Sequence, residues 1–162
     1  MCLLIQVTLT GTSYLETFDN VGAGLPTGWT VRSGASATSL GTAATLTTAP
    51  TAWSNTSGAF KNLASADGLT ATSTGTDQNG STDRSLGVRQ TGAFGEPGAA
   101  FVLQSANTSG MSGFSLSFKL QSLDAASSTF VCQLIMQQVI PLQFYDSCDF
   151  SLYTYDRQQC LF

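Results

Sequence analysis

Glu16 and Asp19 stand three residues apart, Arg84 follows Asp83 with Arg89 five positions on, and Trp29 and Trp53 are the two tryptophans of the chain. Two close carboxylates begin an oxygen shell for a hard cation, which needs six to eight oxygens in all. Asp67, Asp77 and Asp83 could extend it only where the fold brings them near. The alternative is that Glu16 and Asp19 are solvated acids at a strand end. Trp29 and Trp53 could stack on a sugar, since an aromatic face gives large contact area at low entropic cost. The alternative is a core role, more so for Trp29 than for Trp53, whose neighbours "TAWSNTSG" are polar. Arg84 and Arg89 with Asp83 could recognise a carboxylate or a sugar hydroxyl. Otherwise they are a solvated strand edge with weak ion pairs. Glu96 and Asp124 are the types of a glycosidase acid and nucleophile. Their positions, in a turn and at a strand end, give no support to catalysis.

Other chemistries are excluded by what is missing. The chain has no histidine, which removes Ser-His-Asp and Cys-His machinery and any His-ligated metal. Cys2, Cys132, Cys148 and Cys160 are widely spaced and contain no C-x-x-C. Cys132 with Cys148 or Cys160 could form a disulfide in an oxidising compartment. The net charge is −4 without a basic cluster, so phosphate-neutralising binding to nucleic acid is not expected. No apolar run is long enough for a membrane-spanning helix. Asn55, Asn79 and Asn107 sit in N-x-S/T triplets, which arise by chance in a chain so rich in Ser and Thr.

The elements that must position these residues read as strands. Only 10% of residues are charged, against roughly 25% in an average soluble domain, and Ser, Thr, Gly, Ala and Asn fill the difference. Such a surface favours strands and turns over helices. Val7, Leu9, Tyr14 and Phe18 alternate loosely with polar residues. Pro26 and Gly28 lead into a short strand at 29–32, and residues 33–52 read as irregular with one short strand. Strands follow at 58–65, 84–92 and 99–107. Between the first two lies a polar loop at 67–83, with Asn79-Gly80 as its tight turn. "GEPG" at 95–98 is a turn in which Gly98 can take positive φ. The clearest strand is "FSLSFKLQSLD" at 114–124, with Phe114, Leu116, Phe118 and Leu120 on one side and polar residues on the other. No stretch has helical periodicity. Short, regularly spaced strands with turns between them argue for an all-β, antiparallel sandwich.

The organisation is uneven. Residues 1–6 read as a residual or false N-terminus, since "MCLLIQV" has no preceding Lys or Arg. Residues 7–130 form the sandwich. Residues 131–162 hold none of the 16 Gly and none of the 17 Ala, but three of the four Cys and three of the four Tyr. A shifted frame under Gln133 and the residues after it permits Val, Asp or Asn, Tyr, Ala, Thr, Gly, then Asn or Asp. That is a strand running into a turn. The tail is therefore expected to be a frameshift product, with a genuine, unusual C-terminal segment as the alternative. A sandwich incomplete at its C-terminus would leave Phe101, Phe114 and Phe118 partly uncovered, unless the tail covers them, and the fold marginally stable.

Together, "ETFDN…GLPTGWTV", "SGAFKNLASADG", "DRSLGVRQTGAFGEPGAAFVLQ" and "GFSLSFKLQSLD" resemble a module of large secreted or cell-surface proteins of Bacteroidetes-type bacteria, which often carry a sorting signal for type IX secretion. The resemblance covers roughly residues 7–128. The F-D…P-x-G-W opening is also similar to cleaved-adhesin, MAM-like and carbohydrate-binding jelly rolls. The resemblance implies a jelly-roll-like, non-catalytic module, secreted or at the cell surface. It implies adhesion or binding of a polysaccharide or surface glycan and a structural Ca2+ at Glu16 and Asp19; Trp53, Trp29 and Arg89, from their residue types, are the expected ligand residues. An accessory domain of a secreted hydrolase or nuclease, or a strand-pairing assembly module, are the alternatives. Sequencing the DNA through and beyond codon 130 is expected to reveal a second open frame continuing in Gly-, Thr- and Val-rich strands. A closed second frame establishes the tail as genuine.

Overall fold

The computed structural model of the chain describes residues 6–36, 38–94 and 98–123, and the backbone of three further strands. Apart from two short helical pieces, its regular structure is strand. The strands are β1 (Trp29–Ser33), β2 (Thr42–Ala43), β3 (Leu46–Thr51), β4 (Ala59–Ala64), β5 (Arg84–Arg89), β6 (Ala99–Gln104), β7 (Gln121–Ser122), β8 (Val131–Val139), β9 (Ser147–Tyr155) and β10 (Gln159–Leu161). The strands expected around 29–32, 58–65, 84–92 and 99–107 are β1, β4, β5 and β6. The weakly patterned 33–52 stretch supplies β2 and β3.

These strands form two five-stranded sheets, in the orders β2-β1-β6-β9-β8 and β3-β4-β5-β10-β7. Pairing is antiparallel except between β3 and β4. The chain is thus all-β. One apolar cluster draws on both sheets: Val31 of β1, Phe60 of β4, Leu86 and Val88 of β5, and Ala99 and Phe101 of β6, with Phe18 and Val21 ahead of the first strand. Phe60 is its hub, meeting Phe101 edge-to-face at 5.4 Å and Phe94 at 5.5 Å. A smaller cluster of Ala35, Ala100 and Val102 covers the other face of β6. It requires a close backbone approach. Gly98 takes φ 94°, and its carbonyl accepts the Ala35 N–H. A Cβ there would stand 2.1 Å from Ala35 O, so only glycine fits.

Two expectations are corrected. The 67–83 stretch is not all loop: α1 (Gly75–Gly80) forms within it, and Asn79-Gly80 ends this helix instead of making a hairpin turn. The cause is a capping box. Thr74 Oγ1 accepts the Asp77 N–H, while Asp77 Oδ2 accepts the Thr74 N–H and O–H. Phe101 is 2% exposed: it packs against Phe60 in the core cluster, and β6 is flanked by β9 of the C-terminal segment, the covering that the sequence left open. The alternating segment forms a ladder only at β7, which pairs with the short β10 at two positions, Cys160↔Ser122 and Leu161↔Gln121. A strand needs a neighbour along its length, and β10 is too short to reach residues 111–120, which take no regular element. Leu116 and Phe118 are 45% and 46% exposed, and Phe114 is half-buried.

Substituting Phe60 by Ala is expected to lower unfolding free energy by about 3–5 kcal/mol in urea titration. Leu116→Thr should change it by less than about 0.5 kcal/mol. Equal losses at the two positions would show that the alternating segment is part of the core.

Candidate functional site

At one end of the core face the apolar side chains stop and polar ones begin. Asn62 and Arg84 lie on the same sheet face as Phe60, Leu86 and Val88, by strand alternation and the register Phe60↔Val88, Asn62↔Leu86, Ala64↔Arg84. Arg84 is only 6% exposed. Its Nε donates to Asn62 Oδ1 at 2.7 Å and its Nη2 to Asn62 O at 3.1 Å. Its Nη1 donates to Gln78 O at 2.7 Å and to Ser81 O at 3.2 Å. The Asn62 amide donates in turn to Thr48 O on β3 at 2.7 Å. All these acceptors are neutral oxygens, and burial draws the Arg84 pKa below its ordinary value. The reading of Arg84 as a solvated strand edge is therefore overturned. A buried charge must be hydrogen-bonded, and the carbonyls at the end of α1 and beyond it serve that need.

Above this clamp opens a cleft of about 590 Å³, lined by Asp19, Asn20, Gly22, Pro50, Asn62 and the 81–84 segment. Asp19 reaches it from the chain before the first strand. Its Oδ1 accepts the Arg84 backbone N–H at 3.1 Å and its Oδ2 the Thr17 hydroxyl at 2.8 Å. Asn20 precedes a 3-10 turn at Val21–Ala23 without capping it by its side chain. Asn20, Thr82 and Asp83 are exposed at the rim. The fold thus brings Asp83 and Asp19 to one cleft. Asp77 remains in its helix cap and Asp67 in an exposed ion pair with Lys119.

The other sequence candidates do not line this cleft. Glu16 Oε1 accepts the Phe18 N–H at 2.9 Å, fastening a residue with φ 63°, a left-handed conformation rare outside glycine. Glu16 Oε2 accepts the Tyr14 hydroxyl at 3.1 Å, and Tyr14 Oη accepts the Trp29 indole N–H at 3.0 Å. Burial raises the Tyr14 pKa, which keeps the phenol a donor. Trp29 meets Phe18 edge-to-face at 4.9 Å. Trp53 is half-buried, its indole N–H donated to Ala64 O at 3.0 Å and its backbone N–H to Gln78 Oε1 at 2.7 Å. Arg89 is half-buried at the end of β5. Glu96, Asp124 and the three tail cysteines lie outside the residues whose side chains are described.

Both oxygens of Glu16 and of Asp19 already accept hydrogen bonds. Each of these oxygens keeps a second lone pair, and a Ca2+ ion bound there would need further oxygens from elsewhere. Among the described residues no three of His, Cys, Asp or Glu gather as a metal site, and no helix is long and apolar enough to cross a membrane. The sequence signal for the buried clamp was weak. An arginine at the start of a strand of pattern R-x-L-x-V shares the parity of the core residues, and that alone pointed inward.

No family model, curated protein or solved structure matches the chain.

Arg84→Met is expected to lower unfolding free energy on the order of 3 kcal/mol, since it strands Asn62 Oδ1 and Gln78 O without their donor. Arg89→Met should cost less than half of that. A chemical-denaturation series on both variants checks the ranking.

Proposed function

We propose that this chain is a non-catalytic, extracellular module that binds carbohydrate or supports adhesion within a larger secreted bacterial protein. In this reading the two sheets are the halves of a jelly-roll-like antiparallel sandwich. The observation that carries it is the cleft of about 590 Å³ over the Arg84 clamp. Its size suits a small ligand. Its rim offers the amide of Asn20, the hydroxyl of Thr82 and the carboxylate of Asp83, donors and acceptors of the kinds that pair with sugar hydroxyls. The guanidinium beneath them is already spent on the fold, so the rim chemistry is neutral-to-acidic and not suited to a phosphate. Secretion and the cell surface come from the sequence resemblance.

The test is a glycan array with the 162-residue chain, followed by calorimetry on the best oligosaccharide. The double variant Asn20→Ala, Asp83→Ala should weaken binding at least about tenfold, or 1.4 kcal/mol, with the melting temperature unchanged. Absence of any glycan ligand, or affinity that ignores both substitutions, refutes this assignment. A second reading, strand-pairing assembly, is favoured by the exposed Leu116, Phe118 and Leu120 beside the edge strand β7. It predicts concentration-dependent association in light scattering that Leu116→Lys abolishes.

A further inference from the structure

We propose that Lys61 and Asn55 are the two ends of an intramolecular amide cross-link, formed when Lys61 Nζ attacks the side-chain carbonyl carbon of Asn55 and Nδ2 leaves as ammonia. This inference does not depend on the glycan reading.

Strand alternation turns Lys61 to the face of β4 opposite Phe60. The crossover connection at 52–58, between the parallel strands β3 and β4, brings Asn55 to it there, and Lys61 is 1% exposed. Its Nζ stands 2.8 Å from Asn55 Oδ1 and 3.0 Å from Asn55 O. Both oxygens are neutral, so the ammonium's charge is not matched by either. Directly opposite on β5 is Gly87, which contributes no side chain, and two positions on, on the same face, is Arg89. Burial and, second, the charge of Arg89 lower the Lys61 pKa from 10.5 to about 8. Near pH 7.5 roughly a quarter of such a lysine is the neutral, nucleophilic amine, against about one part in a thousand for an ordinary lysine.

The acceptor carbonyl is prepared as well. Asn55 Oδ1 also accepts the Ser57 N–H at 3.1 Å and the Ser57 hydroxyl at 2.6 Å. These two donors polarise the carbonyl and stand where the oxyanion of a tetrahedral intermediate would form. From Oδ1 to the carbonyl carbon is one C=O bond, about 1.2 Å, so that carbon lies within about 4 Å of Nζ, and attack requires the lysine tip to move above the amide plane. The Asn55 N–H to Ala52 O turn, with the two Trp53 bonds just before it, holds the connection in place. Such fixed proximity replaces a bimolecular encounter.

The step balances without any added reagent. The bond from Nζ to Cγ forms, and the oxyanion rests on the Ser57 donors. One proton passes from Nζ to Nδ2. The Cγ–Nδ2 bond then breaks with its electron pair on nitrogen, the carbonyl re-forms and ammonia leaves. Nothing is oxidised or reduced. The product fastens the crossover connection to the strand beneath it.

Intact-mass spectrometry of the soluble full chain, fresh and after several days at pH 8.5, tests this. The expected result is a mass short of the sequence by one ammonia. Trypsin should no longer cut after Lys61, and fragmentation should place the loss in a Lys61–Asn55 bridge. Lys61→Arg should keep the full sequence mass. A soluble chain that retains its sequence mass and is cut at Lys61 overturns the proposal. So does an ammonia loss that survives Lys61→Arg or leaves Lys61 cleavable, since that is an asparagine cyclising onto its own backbone, most readily Asn79 before Gly80. The tryptic map of the unsubstituted chain decides between these even where the variant fails to fold.

Discussion

A guanidinium with four hydrogen bonds to neutral oxygens sits where the apolar core of this protein stops. Arg84 reaches across β5 to both the side chain and the backbone of Asn62 on β4, and outward to the carbonyls of Gln78 and Ser81. Asn62 passes the connection on to Thr48 of β3, and the Arg84 backbone N–H holds Asp19. Three strands, the short helix and the segment before the first strand therefore meet at one buried charge. Charge burial is costly in isolation, and tolerable only when each donor is satisfied. The same bonds hold the C-terminal end of a six-residue helix that is too short to be stable alone and starts from the Thr74–Asp77 capping box. Its C-terminal carbonyls need donors, and Arg84 supplies them.

The same constraint shapes the cleft. Because the cation is consumed below, the surface above it presents amide, hydroxyl and carboxylate groups without a free positive charge. Both carboxylates of the opening "ETFDN" motif are used by the fold: Glu16 fixes the left-handed Phe18 within the motif, and Asp19 ties the motif to β5 at this end. Phe18 then enters the core against Trp29. The acids and the tryptophan of this motif thus form one packing unit that directs the chain into β1.

On the opposite face of the second sheet the physics is inverted. Lys61 is buried against neutral carbonyls with Arg89 as its charged neighbour, so its pKa falls to about 8 and a sizeable fraction is neutral near pH 7.5, where Arg84 remains charged. The difference follows from intrinsic basicity. A guanidinium cannot discharge under such conditions and must collect acceptors, whereas an ammonium can lose its proton. One sheet therefore carries two buried cationic residues with different fates.

The strands β1, β4, β5 and β6 were legible because each is a short apolar run bounded by turn residues, and its two faces differ. The capping box Thr74-x-x-Asp77 was also present in the sequence, but a single turn of helix shows no periodicity against a Ser/Thr-rich background. The alternation at 114–124 determined which side chains share a face. It could not supply the neighbouring strand on which a ladder depends, and among the described residues of the segment only Gln121–Ser122 finds one. Residue types alone fixed the absence of histidine chemistry, the low charge and the all-β character. Tertiary structure decided that Arg84 is interior, that Asp19 and Asp83 share a cleft, and that Asn55 meets Lys61. Each of these depends on pairing between segments distant in sequence or on a loop folding back, and local pattern carries no information about where a chain returns.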